Sequence, residues 1–162
     1  DARLEALEQY ADAPESLRDS LDRLTELAVA LFELDAAAVG LVDAHEERFL
    51  SCFGISFEPT EREDTVCTYA LLDDSVTVIE DTLEDPRFED NEGLIEADIR
   101  FYAGAPVVTP EGHPIGTFCV YDDEPRTFSD RDCELLSLLA DEVMEQLTLR
   151  RRLRKEGGET HE

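Results

Sequence analysis

Several residue types are scarce in this chain of 162 residues, and their scarcity excludes some classes of protein. Tryptophan is absent, methionine occurs once, and Lys155 is the single lysine beside 13 arginines. No apolar run reaches the roughly 18 residues that a membrane-spanning helix needs. Residues 1–10 also lack the basic start and apolar stretch of a signal peptide. We therefore expect a soluble, cytoplasmic domain that does not insert into a membrane.

Positive charge is scarce as well, since 14 Lys and Arg stand against 41 Asp and Glu, which gives a net charge of −27. Such a chain repels phosphates, so nucleic acid and anionic membrane surfaces are excluded as partners. The acidic residues are dispersed, and a dispersed acid excess with almost no lysine resembles the proteins of salt-accumulating halophiles. In molar salt the Debye length falls to about 3 Å, which makes such a surface tolerable. An acidic surface for a basic partner is the alternative interpretation.

Paired metal ligands are missing from the sequence. Cys52, Cys67, Cys119 and Cys133 form no Cys-x-x-Cys pair, and the histidines have no partner at ligand spacing. We therefore expect no metal site, and the residues identify no cofactor. The first three cysteines lie in apolar stretches, where a free thiol usually acts as a small buried hydrophobe. A redox-active or covalently modified thiol is the alternative.

The pattern of apolar residues predicts an α+β fold with an antiparallel sheet, because strands lie between two long helices. A period of 3.6 residues predicts a helix over 16–34 and another from the N-cap Ser129 to about Arg154, ended by Gly157-Gly158. Apolar residues beyond Val143 are expected to face a partner. Strands are predicted at 36–42, 48–54, 76–79, 99–109 and 115–121. Further predictions are a helix over 3–11, an acidic loop over 59–64, a short helix ending at Leu72 and a polar loop over 81–97.

Five segments, taken in order, resemble the motifs of GAF domains in microbial sensory proteins. These segments are Thr65–Leu71, Asp85–Asn91, Ile99–Pro106, Ile115–Asp122 and Pro125–Ser129. The resemblance implies a PAS-related antiparallel sheet of about six strands, with the terminal helices packed on one face. The other face, covered by the short helix at Cys67 and the loop over 81–98, would hold a ligand pocket. We expect a helical extension over 1–15, the GAF domain over 16–150 and a tail or linker over 151–162.

Such domains relay signals and seldom catalyse, so the resemblance implies a regulatory sensor of an unidentified small molecule that is not an enzyme. It also implies a homodimer through the terminal helices, beside a histidine kinase, PAS or other output module of a two-component or related system. Two alternatives stay open: a thiol enzyme that reduces free methionine sulfoxide, and a ligand-free dimerisation module. The chain lacks the Asn-Lys-Phe-Asp-Glu type of run of cyclic-nucleotide-binding members. Neither Cys67 nor Cys119 is followed by the His of bilin-binding members.

Six residues are candidates for binding the ligand. Strand alternation places Arg100 and Tyr102 on one face, and Ile99, Phe101 and Ala103 on the other. If the first face lines the pocket, Arg100 binds an anionic ligand through its fixed donors, and Tyr102 is the second polar group. The remaining candidates are Cys67, Tyr69, Cys119 and Tyr121. The alternative is that these four are ordinary core residues, and that Arg100 anchors the long loop by pairing with a carboxylate.

Overall fold

The computed structural model describes residues 15–42, 46–54, 60–61, 76–85 and 99–160. In chain order the elements are α1 (Glu15–Phe32), β1 (Ala36–Val42), β2 (Glu46–Phe53), β3 (Thr60–Glu61), β4 (Thr77–Ile79), β5 (Phe101–Val108), β6 (Pro114–Asp122) and α2 (Asp130–Thr160). The helices predicted over 3–11 and up to Leu72 lie outside the described residues. Within the described ranges, no helix is both long and apolar enough to cross a membrane.

The strands form one antiparallel sheet in the order β3-β2-β1-β6-β5-β4. β1 lies inside the sheet between β2 and β6, which agrees with its apolar sequence, AAAVGLV. β5 and β6 form a hairpin whose turn contains Gly112 at a φ of 92°, a conformation that glycine adopts without strain. The predicted α+β fold with an antiparallel sheet is confirmed.

Only β1 has the predicted bounds; the other four predicted strands differ by one or two residues at one or both ends, and one short strand was not predicted. The unpredicted strand is β3, which lies inside the segment predicted as an acidic loop over 59–64 and pairs with Glu46 and Glu47 of β2. A two-residue strand is too short to show alternation, so the sequence carries no signal for it. β5 begins at Phe101 rather than at Ile99.

Both helices pack on the same face of the sheet and enclose the main core. Alternate residues of β1, β5 and β6 point to this face, as the period of two in a strand requires. The sheet contributes Ala37, Val39, Leu41, Leu50, Phe101, Ala103, Ala105, Val107, Phe118 and Val120. The helices cover them with Leu17, Leu21, Ala28, Leu136, Ala140 and Val143, among others. These side chains are apolar, so this layer stabilises the fold mainly through hydrophobic burial.

α2 begins with a reciprocal cap at the predicted residue. The Asp132 N–H donates to Ser129 Oγ at 3.1 Å, and the Ser129 N–H donates to the Asp132 carboxylate at 3.0 Å. The helix continues to Thr160, so its predicted end near Arg154 is wrong. Each glycine of Gly157-Gly158 costs about 1 kcal/mol in a helix, and each residue added to a formed helix gains a hydrogen bond. The two glycines therefore weaken the helix without ending it.

The apolar residues of α2 beyond Val143 do not all face a partner, contrary to the prediction. Met144 and Leu147 are buried in the main core, whereas Leu149 is 47% exposed. The core extends this far because β5 is eight residues long, and its Val107 belongs to the same cluster.

Candidate functional site

The face of the sheet opposite to the helices carries a second, smaller cluster of buried side chains. Its members are Ala36, Ala38, Ile79, Ile99, Tyr102, Cys119 and Tyr121, with Cys52 partly buried beside them. We call this surface the Tyr102 face. Phenol and thiol groups occur here, whereas the main core consists of hydrocarbon side chains and one thioether.

Residues from four strands form a row on the Tyr102 face. Tyr102 of β5 lies opposite Tyr121 of β6 on one side and Ile79 of β4 on the other. β1 continues the row with Ala36, which lies opposite Tyr121. The two tyrosine rings are tilted with centroids 5.4 Å apart, and both residues are almost fully buried. The antiparallel register therefore brings two of the predicted site residues into contact.

Cys119 links Tyr102 to the neighbouring row through hydrogen bonds. Its Sγ lies 3.1 Å from the Tyr102 hydroxyl and donates to Thr117 Oγ1 at 3.1 Å. All three residues are at most 1% exposed. Buried polar groups are costly unless they are bonded, so these three side chains fix one another's orientation.

Thr77 occupies the same face on the edge strand β4. It alternates with Val78, which packs against the main core, and it lies opposite Gly104, which in turn lies opposite Cys119. Thr77 is 7% exposed, and its Oγ1 has no hydrogen-bond partner within the described structure. A buried hydroxyl left unpaired costs about 1–3 kcal/mol. The Tyr102 face thus contains a buried hydroxyl whose hydrogen-bonding capacity is unused within the described structure.

Arg100 lies at the border of the Tyr102 face, where Asp81 holds it. The antiparallel register pairs Ile79 with Tyr102. Two residues further along each segment, positions 81 and 100 therefore lie opposite each other on the same face. Arg100 Nε and Nη2 donate to Asp81 Oδ1 at 3.1 and 3.0 Å, and Nη2 also donates to Oδ2 at 3.0 Å. The side chains of Arg100 and Asp81 are 33% and 21% exposed. Arg100 thus pairs with a carboxylate in this structure, and its role toward a ligand stays a prediction.

One predicted face assignment is wrong. Ile99 joins the Tyr102 cluster rather than sharing the face of Phe101 and Ala103. Because Ile99 precedes β5, strict alternation does not apply to it. Its carbonyl oxygen accepts a hydrogen bond from Thr82 Oγ1 at 2.8 Å.

The residue after β4 is bonded to the connection that leads into α2. The Arg126 N–H donates to the Glu80 carbonyl oxygen at 3.1 Å, and the Phe128 N–H donates to the Glu80 carboxylate at 3.2 Å. Arg126 Nε lies 2.7 Å from Asp122 Oδ2, as an ion pair rather than an aligned hydrogen bond. The Phe128 ring packs against Phe101 with centroids 5.5 Å apart. We call the bonded unit of Glu80, Arg126 and Phe128 the Glu80 junction.

Three carboxylates lie close together at the end of the sheet where β1 begins and β6 ends. Side-chain oxygens of Asp35, Asp122 and Asp123 lie within 4.8 Å of one another. Hydrogen bonding to Asp35 and then to Asp122, together with their negative charges, raises the pKa of Asp123 from 3.8 to about 6. A proton bound within the group relieves the repulsion between like charges.

None of the described cysteines, Cys52, Cys119 and Cys133, is part of a disulfide. Ala38 of β1 pairs with Cys52 of β2 on one side and with Cys119 of β6 on the other. The backbones of the two cysteines are therefore two strand spacings apart, which is about 10 Å. A disulfide needs Cα atoms within about 7 Å, so these two thiols cannot bond without backbone movement. Burial, followed by the charges of two aspartates at the start of α2, raises the pKa of the Cys133 thiol.

The structure brings part of the predicted site together. Tyr102, Cys119 and Tyr121 are in one cluster with Arg100 at its border, and Cys67 and Tyr69 lie outside the described residues. Sequence reasoning missed Thr77, Thr117 and Asp81. Alternation with Ile79 in a predicted strand could have placed Thr77 on this face. Asp81 could not have been identified as the partner of Arg100, because that pairing depends on the register of β4 against β5.

The sequence of this chain is similar to a family model and to a known protein. A model of the GAF domain matches residues 16–147. A cyclic di-GMP phosphodiesterase of Pseudomonas aeruginosa is 36% identical over 148 residues, which are 87% of this chain and 25% of that protein. The chain thus spans about a quarter of the length of that relative.

Two solved structures share the fold at low identity. The GAF domain of a phosphoenolpyruvate-protein phosphotransferase from Acinetobacter has a TM-score of 0.72 at 16% identity, covering 95% of this chain and 96% of that one. A type II free methionine-R-sulfoxide reductase from Thermoplasma acidophilum has a TM-score of 0.69 at 18% identity, covering 82% and 93%. At such identities the likeness shows the fold alone. From the match over residues 16–147 and the 36% identical relative, we conclude that this chain belongs to the GAF domain family and is related to signalling proteins.

Proposed function

We propose that this GAF domain is a regulatory sensor, which binds an unidentified small molecule on the Tyr102 face and relays its bound state through the terminal helices. The observation that carries the proposal is the Thr77 hydroxyl, which is buried on that face without a partner. The large majority of buried side-chain polar atoms in folded proteins are hydrogen-bonded. A ligand with a hydrogen-bonding group would supply the missing partner.

The composition of the Tyr102 face also suits a guest. The residues paired with Cys119 and Tyr121 include three small ones: Ala36, Ala38 and Gly104. The hydrogen-bonded chain from Thr117 through Cys119 to Tyr102 adds polar groups at fixed positions. Largely apolar sites with a few fixed polar groups are typical of small-molecule binding.

The ligand contacts that we propose follow from this arrangement. Tyr102, Cys119 and Tyr121 line the site, and Cys67 and Tyr69 are further candidates outside the described residues. Arg100, at the border, would bind an anionic group of the ligand.

We propose a regulatory role rather than catalysis by this domain. A thiol reductase needs a reactive cysteine with a resolving cysteine nearby. Among the described cysteines, Cys119 is buried and hydrogen-bonded, and Cys52 lies two strands away. The reductase alternative predicts turnover of free methionine sulfoxide that is lost in Cys67→Ser or Cys119→Ser.

A homodimer through the terminal helices is part of the proposal. Leu27 and Leu31 share one face of α1 at a spacing of four residues and are 51% and 48% exposed. Leu138 and Leu149 of α2, about three turns apart, are 62% and 47% exposed. Because α1 and α2 pack on the same side of the sheet, a second copy would cover these leucines in a four-helix arrangement.

The setting that we propose is a cytoplasmic sensor with a histidine kinase or another output module in the same chain. The lack of a disulfide among the described cysteines fits a reducing compartment. From the net charge of −27 we also propose an origin in a salt-accumulating archaeal halophile, which the salt dependence of the stability tests.

The experiment is a thermal-shift screen in molar KCl against cyclic nucleotides, amino acids, free methionine sulfoxide, aromatic acids and tetrapyrroles. A ligand at a hundred times its dissociation constant adds about 2.7 kcal/mol to the stability. Tyr102→Phe, which removes one hydroxyl from the site, should weaken a true hit, and Thr148→Val on α2 should not. Silence across the panel in a protein that melts cooperatively would favour the ligand-free dimerisation module.

A further inference from the structure

Asp81 binds the Arg100 guanidinium in the way that the carboxylate of a ligand would. Both oxygens of Asp81 accept from the arginine, at 3.0 to 3.1 Å, which is the forked geometry of carboxylate recognition. The pair keeps partial access to solvent, since Arg100 is 33% and Asp81 21% exposed. An external carboxylate can therefore compete for the same donors.

The neighbourhood of the pair indicates what such a ligand looks like. The next residues on the same face are Ile79 and Tyr102, which are 2% and 0% exposed, and Tyr121 lies beyond them. These side chains are covered in the ligand-free fold, so a ligand whose carboxylate binds Arg100 would place the rest of its body against apolar and aromatic groups only by replacing what now covers them. These groups favour a carboxylate attached to a hydrophobic or aromatic group.

Asp81 lies in a bonded turn, next to the residue that contacts the connection into α2. Its Oδ1 accepts from the Leu83 N–H at 3.1 Å, and its carbonyl oxygen accepts from the Glu84 N–H at 3.1 Å. The preceding residue is Glu80, which holds the amides of Arg126 and Phe128. A displacement of Asp81 that shifts the backbone of this turn would therefore move Glu80 and the amides bonded to it, and Phe128 lies two residues before α2 begins.

We propose that Asp81 is an internal competitor, which a carboxylate with an apolar body displaces from Arg100, and that this exchange moves the Glu80 junction and the start of α2. This inference rests on the proposed sensor function and adds its ligand class and its first relay step. One carboxylate replaces another as the partner of Arg100, the released Asp81 becomes hydrated, and the bound ligand adds one negative charge to the site.

Internal competition has a measurable consequence. When the binding-competent form is a minor fraction, the apparent affinity falls by that fraction. Removal of the Asp81 charge should therefore tighten binding, although it removes a stabilising contact of the folded chain.

The test uses potassium benzoate as the probe, with potassium chloride adjusted to keep the ionic strength constant, and follows backbone amide signals by NMR. Asp81→Asn should bind benzoate about tenfold more tightly than the unmodified chain, and Arg100→Gln should not bind it. Glu84→Gln removes the same charge from the same turn and should match the unmodified chain. An Asp81→Asn variant no tighter than Glu84→Gln, or binding that survives Arg100→Gln, would overturn the exchange.

A second measurement in the same experiment tests the relay through Glu80. In the unmodified chain, benzoate should shift the amide signal of Phe128, because Glu80 accepts from that group. Glu80→Ala should keep the affinity for benzoate and reduce this shift. An undiminished Phe128 response in Glu80→Ala would overturn the relay through Glu80.

The outcomes separate this inference from the proposed function. A panel compound without a carboxylate that binds equally well to Arg100→Gln would support the sensor and overturn the exchange. Circular dichroism of Arg100→Gln and Asp81→Asn shows whether each variant is folded. If Arg100→Gln does not fold, Arg100→Lys, which keeps the charge and loses the fork, should bind benzoate more weakly than the unmodified chain.

Discussion

At the scale of single residues, Thr77 and Thr82 are a matched pair of buried threonines. Thr77 Oγ1 has no partner in the described structure, whereas Thr82 Oγ1 donates to the Ile99 carbonyl oxygen. Without added ligand, Thr77→Val should raise the free energy of unfolding by about 1 kcal/mol, and Thr82→Val should lower it by about 1–3 kcal/mol. Chemical denaturation measures both. Equal destabilisation by the two changes would show that Thr77 is bonded in the native protein.

The carboxylate group at the end of β6 predicts an unusual pH dependence. The pKa of Asp123 is raised to about 6, above the ordinary value of 3.8, because of Asp35 and Asp122. The unfolded chain therefore loses this proton at lower pH than the folded chain, so ionisation of Asp123 disfavours folding. The stability advantage of Asp123→Asn should grow from about pH 4 to about pH 6 and stay constant above. Melting curves across this range, with Glu111→Gln as a charge control, test it, and a pH-independent difference would contradict it.

Residue-level predictions succeeded where a short-range rule decides the outcome. A period of two is enough to separate Tyr102 from Phe101 and Ala103, and the structure places them on opposite faces as predicted. The unpaired state of Thr77 and the pairing of Arg100 with Asp81 depend instead on which strands are neighbours and in which register. Neither quantity is contained in a local pattern of residue types.

At the scale of elements, α2 offers a test of what its buried stripe contributes. Leu136 is fully buried in the main core, whereas Leu138, two positions later, is 62% exposed. Leu136→Ala should destabilise the fold by about 2–5 kcal/mol, because it removes packed atoms and leaves a cavity. Leu138→Ala should change the stability of the monomer by less than about 0.5 kcal/mol. Urea unfolding at low protein concentration measures both, and similar losses would contradict the assignment of the core to this side of α2.

Elements with strong local signals were predicted well, and elements that depend on tertiary pairing were not. β1 has the predicted bounds, 36–42, and α2 begins after the predicted cap at Ser129. β3 was missed because a pair of residues becomes a strand only when β2 lies beside it. The continuation of α2 through Gly157-Gly158 was missed because glycine weighs against a helix without forbidding it.

At the scale of the whole molecule, the net charge of −27 opposes the proposed association of two copies. The exposed leucines favour association, and the repulsion of two acidic bodies disfavours it. Salt shortens the Debye length from about 8 Å at physiological strength to about 3 Å at 1 M, whereas burial of leucine needs no salt. We therefore expect the dimer to tighten as KCl rises, and sedimentation equilibrium over a KCl series measures this dependence.

Charge-matched variants identify the surface that associates. Leu31→Glu on α1 and Leu138→Glu on α2 place a charge in the proposed interface and should produce monomers even in 1 M KCl, with unchanged circular dichroism. Leu83→Glu adds the same charge at a residue that is 42% exposed in the turn after β4, and it should remain dimeric. Equal weakening by all three would assign the effect to net charge alone. A monomeric unmodified chain at every salt concentration would exclude the helix-mediated dimer, and with it the relay of ligand binding through a partner helix.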